Sequence, residues 1–274
     1  MANESLRTER EGAVVTVTID IPPHNIVGAD LIVGLLGLLP ELEGDDSVSV
    51  VVFRSADPDF FLMHGDVEAL LASAPADEPV TEPNIAAVLF ERLHSAPFLT
   101  IGVVDGYARG GGCEFLAALD LRIGTARAVI GQPEVAMGIL PGAGGTVRMA
   151  RALGRAKALE LILSGRDVSA DELLAMGWLQ QLVPTSGLDA ALSAYVKQFA
   201  SLNRRSVRAV KLVIDAAINE DAAALTLETM EMNAAMVAGA HVQPMQRFLA
   251  AGGQTRDVEI GSIDALLDVM RQND

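Results

Sequence analysis

The sequence predicts an α/β fold over its first 200 residues, followed by a helical region over residues 201–274. Residues 15–19 alternate apolar and polar side chains with the period of a half-buried strand. Residues 29–42 space their large apolar side chains as on one face of a helix, and residues 48–53 form the continuous apolar run of a buried strand. A strand, a helix and a second strand in this order begin an α/β layer.

The next elements continue this pattern. Residues 66–73 and 85–94 are expected to be helical, and residues 74–83 between them carry three prolines and three acids, which indicates a surface loop. A strand is expected at residues 98–104. It leads into a glycine-rich turn at residues 106–112, where a helix must begin.

Helices dominate the remainder of the chain. Residues 113–119 are apolar on most sides and predict a buried helix, and a second glycine turn at residues 141–146 precedes a helix through Arg151. One short strand is expected at residues 181–183. The later expected helices are residues 156–164, 169–176, 189–202, 206–218, 221–238 and 263–271.

The charge balance excludes several classes of protein. The chain carries 36 acidic and 20 basic side chains, a net charge of -16, and half of its residues are hydrophobic. A chain this apolar is not intrinsically disordered, and a chain this acidic lacks the basic face that a nucleic-acid partner requires. An anionic ligand must therefore be held by backbone groups or by a few well-placed cations.

The sequence also lacks the patterns of metal and membrane proteins. Cys113 is the sole cysteine and the four histidines are scattered singly, so no metal site is expected. Residues 1–7 do not have the order of a signal peptide, and the aliphatic stretch at residues 31–39 is far shorter than the roughly 20 residues of a membrane span. We therefore expect a cytoplasmic protein without membrane contact.

The turn at residues 106–112 is a candidate for binding negative charge. Neither glycine turn fits the G-x-G-x-x-G or the phosphate-loop pattern. The first turn nevertheless places unhindered backbone at a helix N-terminus, where N–H groups and the helix dipole favour an oxyanion. A glycine turn needed only for tight helix packing is the alternative.

Two acids lie within apolar sequence near this turn. Glu114 follows the glycines by two residues, and Glu134 precedes the apolar residues 135–137. A buried acid is costly unless it faces a polar cavity, and a pair of partly desolvated carboxylates beside an oxyanion site suits proton transfer next to a carbonyl. For either acid alone, a surface or salt-bridged role is the alternative.

Two long runs around these residues resemble the enoyl-CoA hydratase/isomerase (crotonase) family. They are residues 104–115, Val-Asp-Gly-Tyr-Ala-Arg-Gly-Gly-Gly-Cys-Glu-Phe, and residues 131–148, Gly-Gln-Pro-Glu-Val-Ala-Met-Gly-Ile-Leu-Pro-Gly-Ala-Gly-Gly-Thr-Val-Arg. The resemblance extends over roughly residues 12–200. It implies a crotonase-like spiral of ββα units in residues 1–200 and a C-terminal helical oligomerisation region in residues 201–274.

The resemblance also implies roles for individual residues. The backbone N–H of Gly111 would be one oxyanion donor for a thioester carbonyl. Glu114 would orient and deprotonate water, and Glu134 would deliver a proton to the α-carbon. Both acids are typical of the hydratase branch, whereas isomerases usually keep one. The implied activity is hydration of a trans-2-enoyl-CoA thioester, with no cofactor because CoA is part of the substrate.

The second oxyanion segment departs from the family. Where the family has [SA]-A-G-[AG]-D, this chain has Phe61-Leu-Met-His-Gly-Asp-Val67. Asp66 matches, which puts the N–H of Met63 at the donor position and His64 in place of a glycine, with its ring at the pocket mouth. The expected substrate-binding residues are His64, Gly65, Asp66 and Gly110.

The C-terminal region also departs from the family. Residues 243–248 match the C-terminal motif of the family only weakly, and the lysines that the family resemblance leads us to expect near the CoA phosphates are missing. Its apolar side chains predict a homotrimer or a dimer of trimers. The candidate contact residues are Met230, Met232, Met236 and Val237.

Two alternatives to a hydratase stay open. The altered loop at Met63 and His64 favours another crotonase-type reaction, such as double-bond isomerisation or C–C bond hydrolysis, because branches diverge there. A non-catalytic acyl-CoA-binding protein is the other alternative. The retained acid pair speaks against it, since an inactive protein gains nothing from burying two carboxylates.

Overall fold

The computed structural model describes residues 5–73, 81–218, 224–239, 241–261 and 263–270, and these form a mixed α/β fold. The predicted α/β class is confirmed. Most of the loop expected at residues 74–83 lies outside the described residues.

The strands are short and are grouped into two sheets. In chain order they are β1 (Leu6–Glu11), β2 (Val14–Ile19), β3 (Val50–Ser55), β4 (Phe60–Leu62), β5 (Leu99–Val104), β6 (Tyr107–Arg109), β7 (Leu121–Gly124), β8 (Val129–Gly131), β9 (Val168–Ser169) and β10 (Gln181–Leu182).

The helices alternate with these strands and then continue alone to the C-terminal end of the described chain. They are α1 (Ala29–Gly44), α2 (Val67–Ala72), α3 (Ile85–His94), α4 (Gly111–Ala118), α5 (Gly145–Leu153), α6 (Arg155–Ser164), α7 (Ala170–Ala175), α8 (Leu188–Ala200), α9 (Arg204–Ile218), α10 (Ala224–Ala238), α11 (Val242–Ala250), α12 (Arg256–Glu259) and α13 (Asp264–Met270), with a 3-10 helix at Glu134–Met137.

The first sheet has the strand order β1-β2-β3-β5-β7-β10. β1 is antiparallel to β2, and the other pairs are parallel. The strand, helix and strand predicted at the start of the chain are confirmed as β2, α1 and β3, with Val14 opposite Val50. Because α1 crosses from one strand to its parallel neighbour, this unit has the geometry of a β-α-β crossover.

The second sheet has the order β4-β6-β8-β9 and positions the candidate site. Its first three strands are parallel, so their carboxyl ends lie at one edge of the sheet. β4 leads into residues 63–66, β6 into Gly110 and Gly111, and β8 into residues 132–134. The sequence does not predict these strands, because three residues are too few to show a period of two.

The buried helix α4 lies at the centre of the main core. The Phe115 ring packs edge-on against Phe53 and Phe90, with centroids 5.2 and 5.3 Å apart, and contacts Phe61 at 6.0 Å. This confirms the buried helix predicted after the glycine turn. It also fixes the N-terminus of α4, and with it Gly111 and Glu114, against the second sheet.

The C-terminal helices α11 and α13 do not form a separate layer. They pack on α2 and on the 3-10 helix, and their apolar side chains share a cluster with Val67, Met137 and Ile139. α9, in contrast, has no buried residue. The boundary at residue 200 and the oligomerisation role stay predictions.

Candidate active site

A cavity of about 570 Å³ opens at the edge of the second sheet where β4, β6 and β8 end. Five of the eight site residues predicted from the sequence line it, and three do not. The lining residues are Glu114, Glu134, Gly111, Gly65 and Asp66; the other three are Met63, His64 and Gly110. The structure therefore brings the two acids, twenty positions apart in sequence, into one cavity.

Glu114 lies in the first turn of α4 and is buried. Its Oε1 accepts hydrogen bonds from the backbone N–H groups of Ala143 (2.7 Å) and Gly145 (2.8 Å). The pKa of Glu114 is raised, because the effect of burial exceeds the opposing effect of these two N–H groups and of the Arg148 guanidinium. The ionised carboxylate therefore has direct support from its surroundings.

Glu134 begins the 3-10 helix after β8 and is also buried. The side-chain amide of Gln132, turned with its NH₂ group toward Glu134, donates to Oε1 (3.0 Å) and Oε2 (2.9 Å). Burial, followed by the negative charges of Glu114 and Glu228, raises the pKa of Glu134 well above its usual range. The two acids thus have different environments, which suits a protonated acid at Glu134 and a base at Glu114.

A third buried carboxyl group, Glu228 of α10, supports a loop of the site and was not predicted from the sequence. Its Oε1 accepts from the N–H of Gly144 (2.5 Å), and its Oε2 accepts from Thr146 (2.8 Å) and Val147 (3.3 Å). The loop leading into α5 is therefore held by Glu114 from one side and by Glu228 from the other. An acid in a helix ordinarily faces solvent, so the sequence gives no signal for this role.

Gly65 and Gly111, which both line the cavity, bring two backbone N–H groups close to each other. A Cβ built on Gly111 would lie 3.3 Å from the backbone nitrogen of Gly65. Within the described residues, neither N–H donates to an acceptor. Gly111 is the first residue of α4, so its N–H lies outside the intrahelical hydrogen bonds and at the positive end of the helix dipole. Together the two groups form a candidate oxyanion hole.

Met63, the donor expected from the sequence, does not occupy this place. Its N–H donates to the carbonyl oxygen of Asn25 at 2.8 Å, and its side chain is fully buried. The Asn25 side chain is itself fixed, because its amide donates to the carbonyl of Phe61 at 3.1 Å. The N–H of Met63 is therefore already paired, and Gly65, two residues further on, presents the second donor.

His64 does not lie at the mouth of the cavity, where the sequence analysis places it. Its ring is buried behind the wall, with Nε2 2.9 Å from Oε1 of Glu259. Gly110 also lies behind the wall, at φ 51°. A Cβ at Gly110 would come within 2.8 Å of Oε1 of Glu134, so the glycine leaves room for that carboxyl group.

The remaining walls are mostly apolar and include α10. Met232 and Met236, two of the residues predicted at a subunit contact, line this cavity, whereas Met230 and Val237 are exposed. Among the described residues that line the cavity there is no lysine or arginine.

No cluster of three or more His, Cys, Asp or Glu side chains suited to a metal ion occurs in the described part of the chain. Over the same ranges, no helix is long and apolar enough to cross a membrane.

Comparison with known proteins places this site in a family. The enoyl-CoA hydratase/isomerase family model matches residues 9–251. The chain belongs to the enoyl-CoA hydratase/isomerase family. The predicted crotonase-like fold is confirmed with it, and the chain is an acyl-CoA enzyme of the crotonase superfamily.

Solved structures with the same fold extend this result. A Streptomyces avermitilis protein assigned to the enoyl-CoA hydratases is 32% identical with a TM-score of 0.85, and the match covers 98% of this chain and 99% of that one. Pseudomonas aeruginosa DspI is 28% identical with a TM-score of 0.71, covering 79% and 88%. The enoyl-CoA hydratase of Bacillus halodurans, 23% identical with a TM-score of 0.80 over 89% and 99%, shares the fold.

The pKa of Glu228 gives a testable pH dependence of stability. Burial, then the charge of Glu114, raises it from 4.5 to about 8. The folded state therefore holds this proton more tightly than the unfolded state, and stability falls as pH rises from 4.5 toward 8. The side chain of the Glu228→Gln variant does not titrate. Its free energy of unfolding, measured with urea, should therefore decrease less with pH than that of wild type.

The exposed Glu231 on the same helix offers a matched control. Glu231→Gln should keep the slope of the wild-type protein. A Glu228→Gln variant whose free energy of unfolding falls as steeply with pH as that of wild type would contradict the prediction.

Proposed function

We propose that the protein is an enoyl-CoA hydratase that adds water across the double bond of a trans-2-enoyl-CoA thioester. One observation carries the proposal: Glu114 and Glu134 line one cavity together with the N–H groups of Gly65 and Gly111, which have no acceptor among the described residues. Hydration needs a base for water, an acid for the α-carbon and donors for the thioester oxygen, all within reach of one ligand. CoA enters as part of the substrate, and no separate cofactor is proposed.

The acid and base roles follow from the two environments. Glu114, supported as a carboxylate by two N–H groups, orients a water molecule and takes its proton while the water oxygen bonds to the β-carbon. Glu134, whose pKa is raised well above its usual range by burial and by neighbouring carboxylates, holds a proton and gives it to the α-carbon. The two acids end with their protonation exchanged, so one proton must pass back from Glu114 to Glu134 before the next turnover.

The N–H groups of Gly65 and Gly111 stabilise the charge that forms between these proton transfers. As water adds to the β-carbon, the electron pair of the double bond moves onto the thioester oxygen. Two fixed N–H donors in a buried site stabilise this enolate without reorganising, which typically contributes several kcal/mol to the transition state.

The proposal is tested with a panel of enoyl-CoA thioesters of different chain length. Hydration removes the conjugated thioester absorbance, and in ¹⁸O-labelled water it places one ¹⁸O atom in the product. Gain of absorbance from a 3-enoyl-CoA would identify an isomerase instead, and release of a shorter acyl product would identify C–C bond hydrolysis. Binding of acyl-CoA without turnover of any member would identify a non-catalytic protein.

We further propose that the protein assembles as a homotrimer or a dimer of trimers. The support comes from α9, which has no buried residue and exposes several large apolar side chains. Such an exposed apolar face is typical of a protein interface. These side chains are those of Val210, Leu212, Val213, Ile214 and Ile218.

Sedimentation velocity at micromolar concentration should therefore give a trimer or larger species. Val213→Glu, which puts a charge in this face, should shift the protein toward monomers. Gln198→Glu, an added charge at an exposed position of α8, should not. A wild-type protein that sediments as a stable monomer would contradict the proposal.

A further inference from the structure

Behind the candidate oxyanion hole lies a buried cluster of charged side chains, His64, Arg109, Asp167 and Glu259. The proposed chemistry does not use it. Arg109 donates to both oxygens of Asp167, from Nε at 2.8 Å and Nη2 at 2.7 Å, and to Oε2 of Glu259 at 3.3 Å. Nε2 of His64 donates to Oε1 of Glu259 at 2.9 Å. His64, Arg109 and Glu259 are almost entirely excluded from solvent.

The His64 ring has a hydrogen-bond acceptor close to each of its nitrogens. Its Nδ1 lies 3.0 Å from the carbonyl oxygen of Gly65, and its Nε2 faces the Glu259 carboxylate. The Glu259 carboxylate therefore lies between the His64 ring and the Arg109 guanidinium.

Glu259 thereby connects the two segments that carry the oxyanion donors. Its Oε1 binds His64, which directly precedes the donor Gly65, and its Oε2 binds Arg109, which lies two residues before the donor Gly111. Removing the charge of Glu259 would leave the buried Arg109 guanidinium and the buried His64 ring without their shared partner.

The segment around Glu259 also holds the Gly65 turn at a second point. The side-chain oxygen of Gln254 accepts from the N–H of Val67, and the N–H of Gln254 donates to Oε1 of Glu259 at 2.9 Å. The turn is therefore fixed at His64 on one side and at Val67 on the other. This C-terminal segment lies beyond residue 251, where the match to the family model ends.

We propose that Glu259 and His64 are positioning residues that hold the N–H groups of Gly65 and Gly111 at the separation needed to bind one thioester oxygen. The inference rests on the proposed function, since it assigns these N–H groups to that oxygen. Neither side chain touches the substrate. The His64–Glu259 ion pair sets the place of the donors, and the C-terminal segment completes the site from behind.

The test compares Glu259→Gln and His64→Leu with wild type and with Glu43→Gln. Glu43 is a matched control because it forms a two-contact ion pair with Arg92, at 2.6 Å for each contact, away from the site. The first readout is hydrogen exchange of backbone amides in residues 62–67 and 109–112 of the ligand-free protein. The second is the infrared carbonyl stretch of a bound saturated acyl-CoA labelled with ¹³C at the thioester carbon.

Both site variants should speed exchange in these two segments at least about tenfold, and the control should not. The downshift of the bound carbonyl stretch should fall to about half, as expected if one of two donors is displaced. Removal of one oxyanion donor lowers kcat by about 10²- to 10³-fold. Displacement of one N–H donor in these variants should therefore lower kcat at least about tenfold, while KM should stay within about threefold of the wild-type value. If Glu259→Gln fails to fold, His64→Leu carries the test, because Glu259 then keeps Arg109 as its partner.

Unchanged exchange, or faster exchange with an unchanged carbonyl stretch, would overturn the positioning role. A wild-type protein that does not shift the carbonyl stretch would overturn both the oxyanion hole and this inference. A wild-type protein that shifts the stretch but hydrates no enoyl-CoA would overturn only the proposed function, and the comparison of variants would still decide the positioning role.

Discussion

Glu134→Gln is expected to lower kcat by about three orders of magnitude or more, because general acid catalysis contributes about 10²- to 10⁴-fold and a glutamine has no proton to give to the α-carbon. The amide keeps the size of the side chain and can still hydrogen-bond to Gln132. Binding of the thioester should therefore change by less than about threefold. Steady-state kinetics with an enoyl-CoA substrate, combined with calorimetric titration of a saturated acyl-CoA, measures both quantities.

Glu9→Gln, a substitution on the exposed face of β1, serves as the control and should leave both quantities unchanged. Equal losses of turnover and of thioester affinity in Glu134→Gln would identify Glu134 as a structural acid. Retention of most of the turnover would show that another group supplies the α-carbon proton, and would remove the basis for the proposed acid and base roles.

Much of the fold could be predicted because its main elements have a clear local period. The helix at Ile85–His94 matches the predicted bounds, and the strand at Leu99–Val104 begins one residue after its prediction. The two candidate catalytic acids were also detectable locally. Glu114 and Glu134 each stand in an apolar run, and an acid in such a run has to face a cavity or a partner.

The parts that were missed depend on contacts between distant segments. Glu228 and Glu259 lie in helices with no local feature that separates them from solvent-facing acids, and most of their partners lie more than 80 residues away. The candidate second oxyanion donor was missed by two residues for a different reason. The sequence of the motif does not show that the N–H of Met63 is already paired with the Asn25 carbonyl, which leaves the N–H of Gly65 as the candidate donor.

Gly112 lies where α4 packs closely against β4 of the second sheet. A Cβ at this position would lie 1.8 Å from the carbonyl oxygen and 2.5 Å from the carbonyl carbon of Leu62, the last residue of β4. These are backbone atoms, so no change of rotamer can relieve the clash. Either β4 or α4 must move, and β4 leads directly into the Gly65 turn.

Gly112→Ala is therefore expected to cost more than about 4 kcal/mol of unfolding free energy, in the range of severe core substitutions, or to prevent folding. The matched control is Gly37→Ala in α1, an exposed helical glycine with no atom within 4 Å of the added Cβ. There the same methyl group restricts the unfolded chain and should stabilise the protein by about 0.5–1 kcal/mol. Urea unfolding of both variants measures the difference. If the free energy of unfolding of Gly112→Ala lay within about 1 kcal/mol of the wild-type value, α4 and β4 would not be in this close contact. The separation of Gly65 and Gly111, on which the candidate oxyanion hole depends, would then lose its structural basis.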